Sequence, residues 1–288
     1  MEVSAKGLAL EPEASIDLQL HTTFSDGVWE PEQLLDHLKE ENFSLAAITD
    51  HDRVDSIATI QQMAIEKNMP ILVAVEMTAE WMGNMTDILC FGFDPALGNL
   101  NKLAQDVIRK QAENTRAVYK NLAKKGFAFS NEIDELANIL AKPSPQQLHE
   151  LVALLKRYGY GMGDPSAGKI VLEAGGAFAM NEIGRIVDAA HQDGGVAIIA
   201  HPGREDGFVT YDADILDHLR SAVPFDGIEA YYPVHTEAQT AKFLKYAKRH
   251  KLLISSGSDS HTSEKPPIKY PAKLSRSLLE WVGIQFTN

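Results

Sequence analysis

The sequence predicts an α/β barrel interrupted by a helical insertion, and two observations carry that prediction. Short apolar runs rich in β-branched residues recur towards both ends of the chain, as is typical of buried strands. Helical patterns lie between many of these runs, and this alternation favours parallel strands joined by crossover helices. From about residue 98 to residue 176 the strand signal is weak. We therefore divide the chain into a first barrel part (1–97), a helical insertion subdomain (98–176) and a second barrel part (177–288).

Each strand is predicted from an apolar run, and each helix from apolar residues at helical spacing. The first helix begins with Pro-Glu and carries a stripe of Leu34, Leu35 and Leu38. The long helix of the insertion ends before Gly126, which is typical of a C-cap. The predicted strands are Ser15–His21, Leu45–His51, Ile71–Met77, Asp87–Asp94, Val196–His201, Gly227–Pro233 and Leu252–Asp259. The predicted helices are Pro31–Glu41, Val54–Lys67, Asn99–Lys125, Glu132–Leu140, Pro145–Tyr158, Glu182–Gln192, Ala213–Arg220 and Thr236–His250.

The composition limits the partners. With 40 acidic and 27 basic residues the net charge is −13, which disfavours binding of long nucleic acids. A small phosphorylated substrate stays compatible, because a metal cluster makes one pocket locally positive. No apolar run is long enough to cross a bilayer and no secretory signal is present, so no membrane partner is expected. The single cysteine, Cys90, fits a reducing compartment, and we expect a cytoplasmic location.

Most apolar runs share one feature, which is a potential metal ligand at or just after the end. In parallel α/β barrels the loops that follow the strands form one face, where active sites lie. One histidine at a strand end is more often structural than a ligand, but several in one chain predict a shared site. The groups at or after the strand ends are His21 with Asp26, Asp50-His51-Asp52, Glu76, His201 with Arg204, and Asp259 with His261. The fourth run instead begins with an acid, Asp87.

The local spacing also suits a metal site. Gln19 and His21 are two residues apart on a strand, so they share one face, and Asp259 and His261 have the same spacing. Mixed imidazole and carboxylate ligands suit manganese, iron or zinc. A carboxylate such as Glu76 can bridge two ions, and two ions about 3.5–4 Å apart can clamp a phosphoryl group and turn a shared water into hydroxide. The pattern therefore predicts metal-dependent phosphate chemistry.

These motifs resemble the polymerase and histidinol phosphatase (PHP) superfamily. The resemblance rests on Asp17-Leu-Gln-Leu-His-Thr22, Ser25-Asp26-Gly27, Ile48-Thr-Asp-His-Asp52, Ala200-His-Pro-Gly-Arg204 and Gly257-Ser-Asp-Ser-His261, which occur in the family's order. Gly227-Ile-Glu229, with Tyr231, Tyr232 and His235, looks like the branch that includes nucleoside 3′,5′-bisphosphate phosphatases.

The resemblance implies a distorted (β/α)7 PHP barrel that binds two or three divalent ions. It assigns one ion to His21, Glu76 and Asp259 with position 19, a second to Glu76, Asp87 and His201, and a third to Asp26, His51 and His261. It also implies that Arg204 binds a substrate phosphate in bidentate fashion. Asp50 and Asp52 would then orient His51 or other ligands.

Three positions depart from the family pattern. The family usually has His-x-His where this chain has Gln19, and an amide oxygen is a weaker, neutral ligand. A further position that is usually His is Asp87, which shifts the preference towards harder ions such as manganese or Fe(II). The nucleotide-phosphatase branch usually carries Arg-Pro-His in the insertion, where this chain has Ser144-Pro-Gln-Gln147.

The leading functional hypothesis is hydrolysis of a phosphate ester on a small metabolite by a metal-bridging hydroxide held partly by Glu76. The substrate would be a nucleoside 3′,5′-bisphosphate or a phosphorylated sugar, including a cyclic phosphate. His201 or His261 would protonate the leaving oxygen, with the unligated His235 as a competing candidate. Two alternatives stay open: a 5′-3′ or 3′-5′ exonuclease acting on short oligonucleotides, and a catalytically impaired barrel that binds a ligand or partner. The sequence leaves the oligomeric state open.

Overall fold

The computed structural model describes residues 3–287. The described residues up to Ala104 and from Asn181 onward form one compact unit, and Gln105–Met180 form a second. The predicted strands belong to the first unit. None of the helices in the described part of the chain is both long enough and apolar enough to cross a membrane.

The strands of the first unit are short, and the central ones are mostly buried. They are β1 (Ala9–Leu10), β2 (Ser15–Leu20), β3 (Leu45–Ile48), β4 (Ile71–Leu72), β5 (Ala74–Trp81), β6 (Asn84–Phe91), β7 (Asn181–Glu182), β8 (Val196–Ile199), β9 (Gly227–Tyr231), β10 (Leu253–Ser256), β11 (Tyr270–Pro271) and β12 (Gln285–Phe286). The helices are α1 (Pro31–Glu40), α2 (Ile57–Lys67), α3 (Asn99–Lys124), α4 (Glu132–Leu140), α5 (Gln147–Arg157), α6 (Ala167–Glu173), α7 (Ile183–Gln192), α8 (Ala213–Ala222), α9 (Glu237–His250) and α10 (Arg276–Trp281).

The sheets are mixed and, within residues 3–287, none closes on itself, so the (β/α)7 barrel is not confirmed. One sheet has the order β10-β9-β8-β6-β5-β7, a second has β11-β2-β3-β4, and β1 pairs with β12. Single bridges link the two larger sheets, one between Leu20 and Ser260 and one between His51 and Glu76. The ends of β2 and β3 and the loop after β10 therefore lie beside the first residues of β5, and these segments carry most of the candidate ligands.

The prediction of uniformly parallel strands is wrong at β5 and β6, which form an antiparallel hairpin. The chain reverses at Met82 and Gly83, which both have positive φ angles, and such backbone is typical of tight turns. Since β6 runs against β5, Glu76 pairs with Leu89, and Asp87 pairs with Thr78, two residues beyond Glu76 on the same strand. The reversal therefore brings Asp87, near the start of this apolar run, close to Glu76.

Burial of the apolar runs stabilises both units. In α1 the stripe of Leu34, Leu35 and Leu38 is completely buried, and each such side chain contributes about 1.5–3 kcal/mol. The second unit has its own apolar core between α3, α4, α5 and α6, which includes Leu122 and Leu151. Helix α6 was not predicted; it begins after Ser166, whose side chain accepts a hydrogen bond from the Lys169 amide.

Candidate metal centre

The loop after β2 is held tightly against the neighbouring strand ends. The backbone N–H of His21 donates to the Ser260 carbonyl at 3.0 Å, and that of Gly27 donates to the Thr22 carbonyl at 3.0 Å. A Cβ at position 27 would lie 2.4 Å from the His21 oxygen, so only glycine allows this close approach. The Ser-Asp-Gly motif therefore places Asp26 beside His21.

Buried carboxylates brace these loops. Asp50 accepts hydrogen bonds from the Thr22 amide and hydroxyl, both at 2.6 Å, and from the Ser25 hydroxyl at 2.8 Å. Asp52 accepts from the Thr78 amide at 3.2 Å and from its hydroxyl at 2.6 Å. Asp50 and Asp52 were expected to orient His51 or other ligands. The hydrogen bonds seen here hold Thr22, Ser25 and Thr78, which lie within two residues of the candidate ligands His21, Asp26 and Glu76, and the orientation of His51 by these acids stays a prediction.

Glu76 is the centre of the site and has no exposed side-chain surface. Its Oε2 atom lies 3.0 Å from His21 Nε2 and accepts a 2.9 Å hydrogen bond from Gln19 Nε2. Its Oε1 atom lies 3.1 Å from His201 Nε2. The same His201 nitrogen is 3.7 Å from Asp87 Oδ2. We call Glu76, Asp87 and His201 the carboxylate group.

Three stacked imidazoles and one acid form the other half of the site. The ring of His21 stacks on His261 at 4.1 Å and on His51 at 4.8 Å between centroids. Asp26 lies beside all three rings, and its closest approach is 3.3 Å, to His261 Nε2. The Nδ1 atom of His261 is 2.9 Å from the Asp259 carbonyl oxygen, so we assign its proton there and leave Nε2 free. We call His21, His51, His261 and Asp26 the imidazole group.

The charges in the site are unbalanced without a cation. Burial and the nearby Glu76 raise the pKa of Asp87 well above its ordinary value. Burial lowers the pKa of His51, which favours the neutral ring that binds metals. For His21, burial alone would lower the pKa, but the carboxylates of Asp259 and Glu76 outweigh burial and raise it. The site therefore attracts positive charge.

Unsatisfied buried atoms test whether these residues fit a metal. Nδ1 of His21, Nδ1 of His51 and Oδ1 of Asp87 are buried and have no hydrogen-bond partner. Buried polar atoms are normally satisfied, so such a cluster of lone-pair donors requires an explanation. A cation would supply the missing partner, and the mixed imidazole and carboxylate donors suit manganese, iron or zinc.

The structure gathers the expected ligands into overlapping sets. Three sets have ligand atoms that all lie within 4.8 Å of one another: His21, Asp26, His51 and His261; His21, Glu76 and Asp259; and His51, Glu76 and Asp87. The second set equals the first ion's expected ligands apart from Gln19. The first set contains the third ion's ligands and adds His21. For the remaining ion, His201 reaches Glu76 and Asp87 at the distances given above.

Gln19 faces the site with its amide nitrogen. The Nε2 atom donates to Glu76, while Oε1 is buried without a partner. An amide N–H cannot coordinate a cation, so in this orientation Gln19 steadies Glu76 and does not offer a ligand atom.

Arg204 lies at the edge of the site and is held by its own loop. Its Nε and Nη2 atoms donate to the two Asp206 oxygens at 2.6 and 3.0 Å, and its guanidinium carbon lies 4.2 Å from the Phe208 ring centroid. The remaining Nη1 atom lies 3.9 Å from Asp259 Oδ2. The guanidinium is thus oriented with donors still available for a phosphate oxygen.

His235 does not have a free ring nitrogen. Its Nε2 atom accepts a hydrogen bond from the Gly203 amide at 3.0 Å, and its Nδ1 atom lies 3.2 Å from the Ala230 carbonyl oxygen. Burial lowers the pKa of His235 to about 4. These contacts favour a structural role for His235, in which it fixes the Gly203 loop, over a role as proton donor to a leaving group.

Several residues that support the site had no assigned role in the sequence interpretation. Glu229 accepts the His201 backbone N–H at 2.9 Å, and Tyr232 donates its hydroxyl to Asp259 Oδ2 at 3.3 Å. Asp206 and Phe208 follow Arg204 closely in sequence, but only the folded loop shows that both contact the guanidinium. An acid two residues after an arginine is too common in sequences to have predicted this role.

Comparisons with known proteins agree with this geometry. The PHP domain pattern matches residues 17–163, which is just over half of the chain. A 3′,5′-nucleoside bisphosphate phosphatase of Chromobacterium violaceum is 29% identical over 281 residues, which cover 90% of this chain and 95% of that protein. A 5′-3′ exoribonuclease of Haemophilus influenzae is 28% identical and covers 85% and 89%. A phosphoribosyl 1,2-cyclic phosphate 1,2-diphosphodiesterase of Eggerthella lenta is 27% identical and covers 85% and 93%.

A solved structure shares the fold. A candidate metal-dependent phosphoesterase from Bifidobacterium adolescentis superposes with a TM-score of 0.73 at 22% identity, over 94% of this chain and 98% of that chain. The matched segment begins at Asp17 and contains Glu76, which belongs to two of the three donor sets. The chain therefore belongs to the PHP domain family of metal-dependent phosphoesterases.

Proposed function

We propose that the chain hydrolyses phosphate esters of small metabolites with two or three divalent ions, preferably manganese. The observation that carries the proposal is the convergence of carboxylates and imidazoles on Glu76, with an oriented guanidinium at the edge. The residues that would hold the ions are His21, Asp26, His51, Glu76, Asp87, His201, Asp259 and His261, with Gln19 alongside. When bound, such ions clamp a phosphoryl group and lower the pKa of a shared water.

The protein's own residues supply the rest of the chemistry. Arg204 would bind the equatorial phosphate oxygens mainly through Nη1, since Nε and one N–H of Nη2 are directed to Asp206. Glu76 would present its carboxylate to the reacting groups in a fixed position, because it accepts a hydrogen bond from Gln19 and has no exposed surface. His201 and His261 stay the candidates for carrying a proton to the leaving oxygen, and each could do so only while its Nε2 atom does not hold an ion.

The proposed substrates are a nucleoside 3′,5′-bisphosphate or a phosphorylated sugar, including its cyclic phosphate. The first is supported by the Chromobacterium violaceum relative and the second by the Eggerthella lenta relative. Stripped protein reloaded with manganese should release inorganic phosphate from one of these esters within a panel, and EDTA should abolish the release. Activity on none of the panel, with ions bound, would contradict the proposal and favour a barrel that only binds ligands.

An exonuclease acting on short oligonucleotides is the second candidate, because the Haemophilus influenzae relative is a 5′-3′ exoribonuclease. The net charge of −13 argues against long strands. Competition separates the two: a small bisphosphate should suppress oligonucleotide cleavage at concentrations near its own KM. If the oligonucleotide is instead the preferred substrate, the exonuclease reading replaces the first.

A further inference from the structure

The turn that follows β8 carries two candidate site residues, His201 and Arg204, on either side of Gly203. His201 has a φ of +28°, which is strained backbone for a residue with a side chain. Such a conformation persists only where surrounding contacts hold it. The Arg204 amide donates to the His201 carbonyl at 3.0 Å, so the turn is tight.

Two side chains at the start of α9, His235 just before the helix and Gln239 in its first turn, form hydrogen bonds with Gly203. The Gly203 N–H donates to His235 Nε2 at 3.0 Å, and the Gly203 carbonyl accepts from Gln239 Nε2 at 3.1 Å. A Cβ on residue 203 would lie 2.8–2.9 Å from atoms of both side chains. A side chain at residue 203 would therefore push His235 and Gln239 away from the turn.

Each gripping side chain is itself held in one orientation. His235 Nδ1 lies 3.2 Å from the Ala230 carbonyl, which must accept, so the proton is on Nδ1 and Nε2 is the acceptor. Gln239 Oε1 accepts the Thr236 amide at 2.8 Å and the Thr236 hydroxyl at 3.0 Å within the capping box of α9. These bonds turn the NH2 of Gln239 towards Gly203.

We propose that His235 and Gln239 are positioning residues that clamp Gly203 and thereby set His201 and Arg204 in the site. His201 reaches Glu76 at 3.1 Å and Arg204 approaches Asp259 at 3.9 Å, so movement of the turn displaces a ligand and a phosphate contact together. The proposal rests on the proposed function for its catalytic consequence, but the clamp itself has a separate readout. A displacement of about 1 Å can cost roughly 100-fold in rate.

The test compares substitutions that keep or remove single atoms of the clamp. His235→Ala removes the acceptor, whereas His235→Gln restores an acceptor without a group that titrates. Gln239→Glu keeps the acceptor for Thr236 but removes the donor to Gly203. Glu237→Gln, at an exposed position in the same first turn of α9, is the matched control.

Hydrogen exchange of the peptide spanning residues 201–206 reports the clamp whether or not a substrate is known. We expect faster exchange in His235→Ala and Gln239→Glu, and wild-type exchange in His235→Gln and Glu237→Gln. With an active ester, kcat/KM should fall about 10–100-fold in the first two variants, and His235→Gln should recover most of the lost activity with an unchanged pH profile.

Unchanged hydrogen exchange in His235→Ala would contradict the proposal that His235 holds the turn. If His235→Gln is as inactive as His235→Ala and has lost one limb of the pH profile, His235 is a proton donor instead. Wild-type protein that hydrolyses nothing would defeat the proposed function, while the exchange result would still decide the clamp.

Discussion

The carboxylate group and the imidazole group lie side by side but differ in burial and support. The side chains of Glu76, Asp87 and His201 are at most 3% exposed. In the imidazole group His21 is equally buried, whereas His51, Asp26 and His261 are 14–28% exposed. The first group is braced by Gln19 and Glu229, while the partly exposed rings of His51 and His261 stack on His21. We infer that the carboxylate group is the rigid, permanent half of the centre and that the imidazole group exchanges its ion more readily.

The largest effect is expected from Glu76→Gln, which disrupts both groups at once. The substitution keeps the shape but removes the charge that His21, His51 and His201 face. We expect a loss of bound ions and a fall in kcat of at least about 10²–10³-fold. Elemental analysis and phosphate release measure the two effects. Glu80→Gln, on the same strand, is the control, and equal loss in both variants would contradict the central role of Glu76.

A paired experiment separates the two groups. Asp87→Asn should abolish binding of the ion at the carboxylate group, which we expect to be held tightly. Asp26→Asn should weaken binding only of the ion at the imidazole group, which we expect a chelator to remove first. Timed chelation followed by elemental analysis distinguishes them. If Asp26→Asn instead empties the whole centre, the imidazole group is the dominant half and the comparison is reversed.

Asp87 also predicts a pH effect on the metal-free protein. Its folded pKa is raised by burial and by Glu76, so ionisation costs stability once the pH exceeds the unfolded value of about 4. Metal-free Asp87→Asn should therefore unfold at a higher temperature than wild type, by an amount that grows as the pH rises above about 4. Adding manganese should remove the advantage. A constant difference across pH would show that Asp87 is not the group responsible.

Gln19→His should increase the number of bound ions by about one, because it replaces a hydrogen-bond donor with an imidazole lone pair. Gln19→Leu is the control, since it removes the bond to Glu76 without adding a ligand. Elemental analysis after desalting measures the ions. An unchanged ion content in Gln19→His would show that Gln19 does not limit binding at this position.

The smallest effect is expected at Cys90, which lies on the same strand as Asp87 but outside both groups. Burial raises the pKa of the Cys90 thiol, so it should not react with thiol reagents until the protein unfolds. Cys90→Ala should lower the free energy of unfolding by about 1 kcal/mol and leave the ion content unchanged. A lower ion content in this variant would mean that core packing, and not the named ligands, controls the site.

The sequence predicted the strand-end ligands because periodicity and residue type are local signals. His21, His51, His201 and His261 were singled out in this way. The structure brings the first three near Glu76 and places His261 beside His21 and Asp26. The direction in which two strands pair is not a local signal, so the sequence did not predict the reversal of β6. The one indication of it was that this apolar run has its acid, Asp87, at the start and not at the end.

Support of the site was harder to predict than its ligands. The bracing of Glu76 by Gln19 depends on which end of an amide faces inward, and no sequence pattern carries that information. The grip of His235 and Gln239 on Gly203 joins segments more than 30 residues apart. His235 was singled out as a possible acid because its position after a strand was visible and its hydrogen bonds were not.

The most direct test of the account is the number of manganese ions that stripped wild-type protein retains after reloading and desalting. The account predicts about two or more ions per chain, with fewer in Glu76→Gln and no loss in Glu80→Gln. Less than one ion per chain in the wild type, at a concentration where the fold is intact, would contradict it.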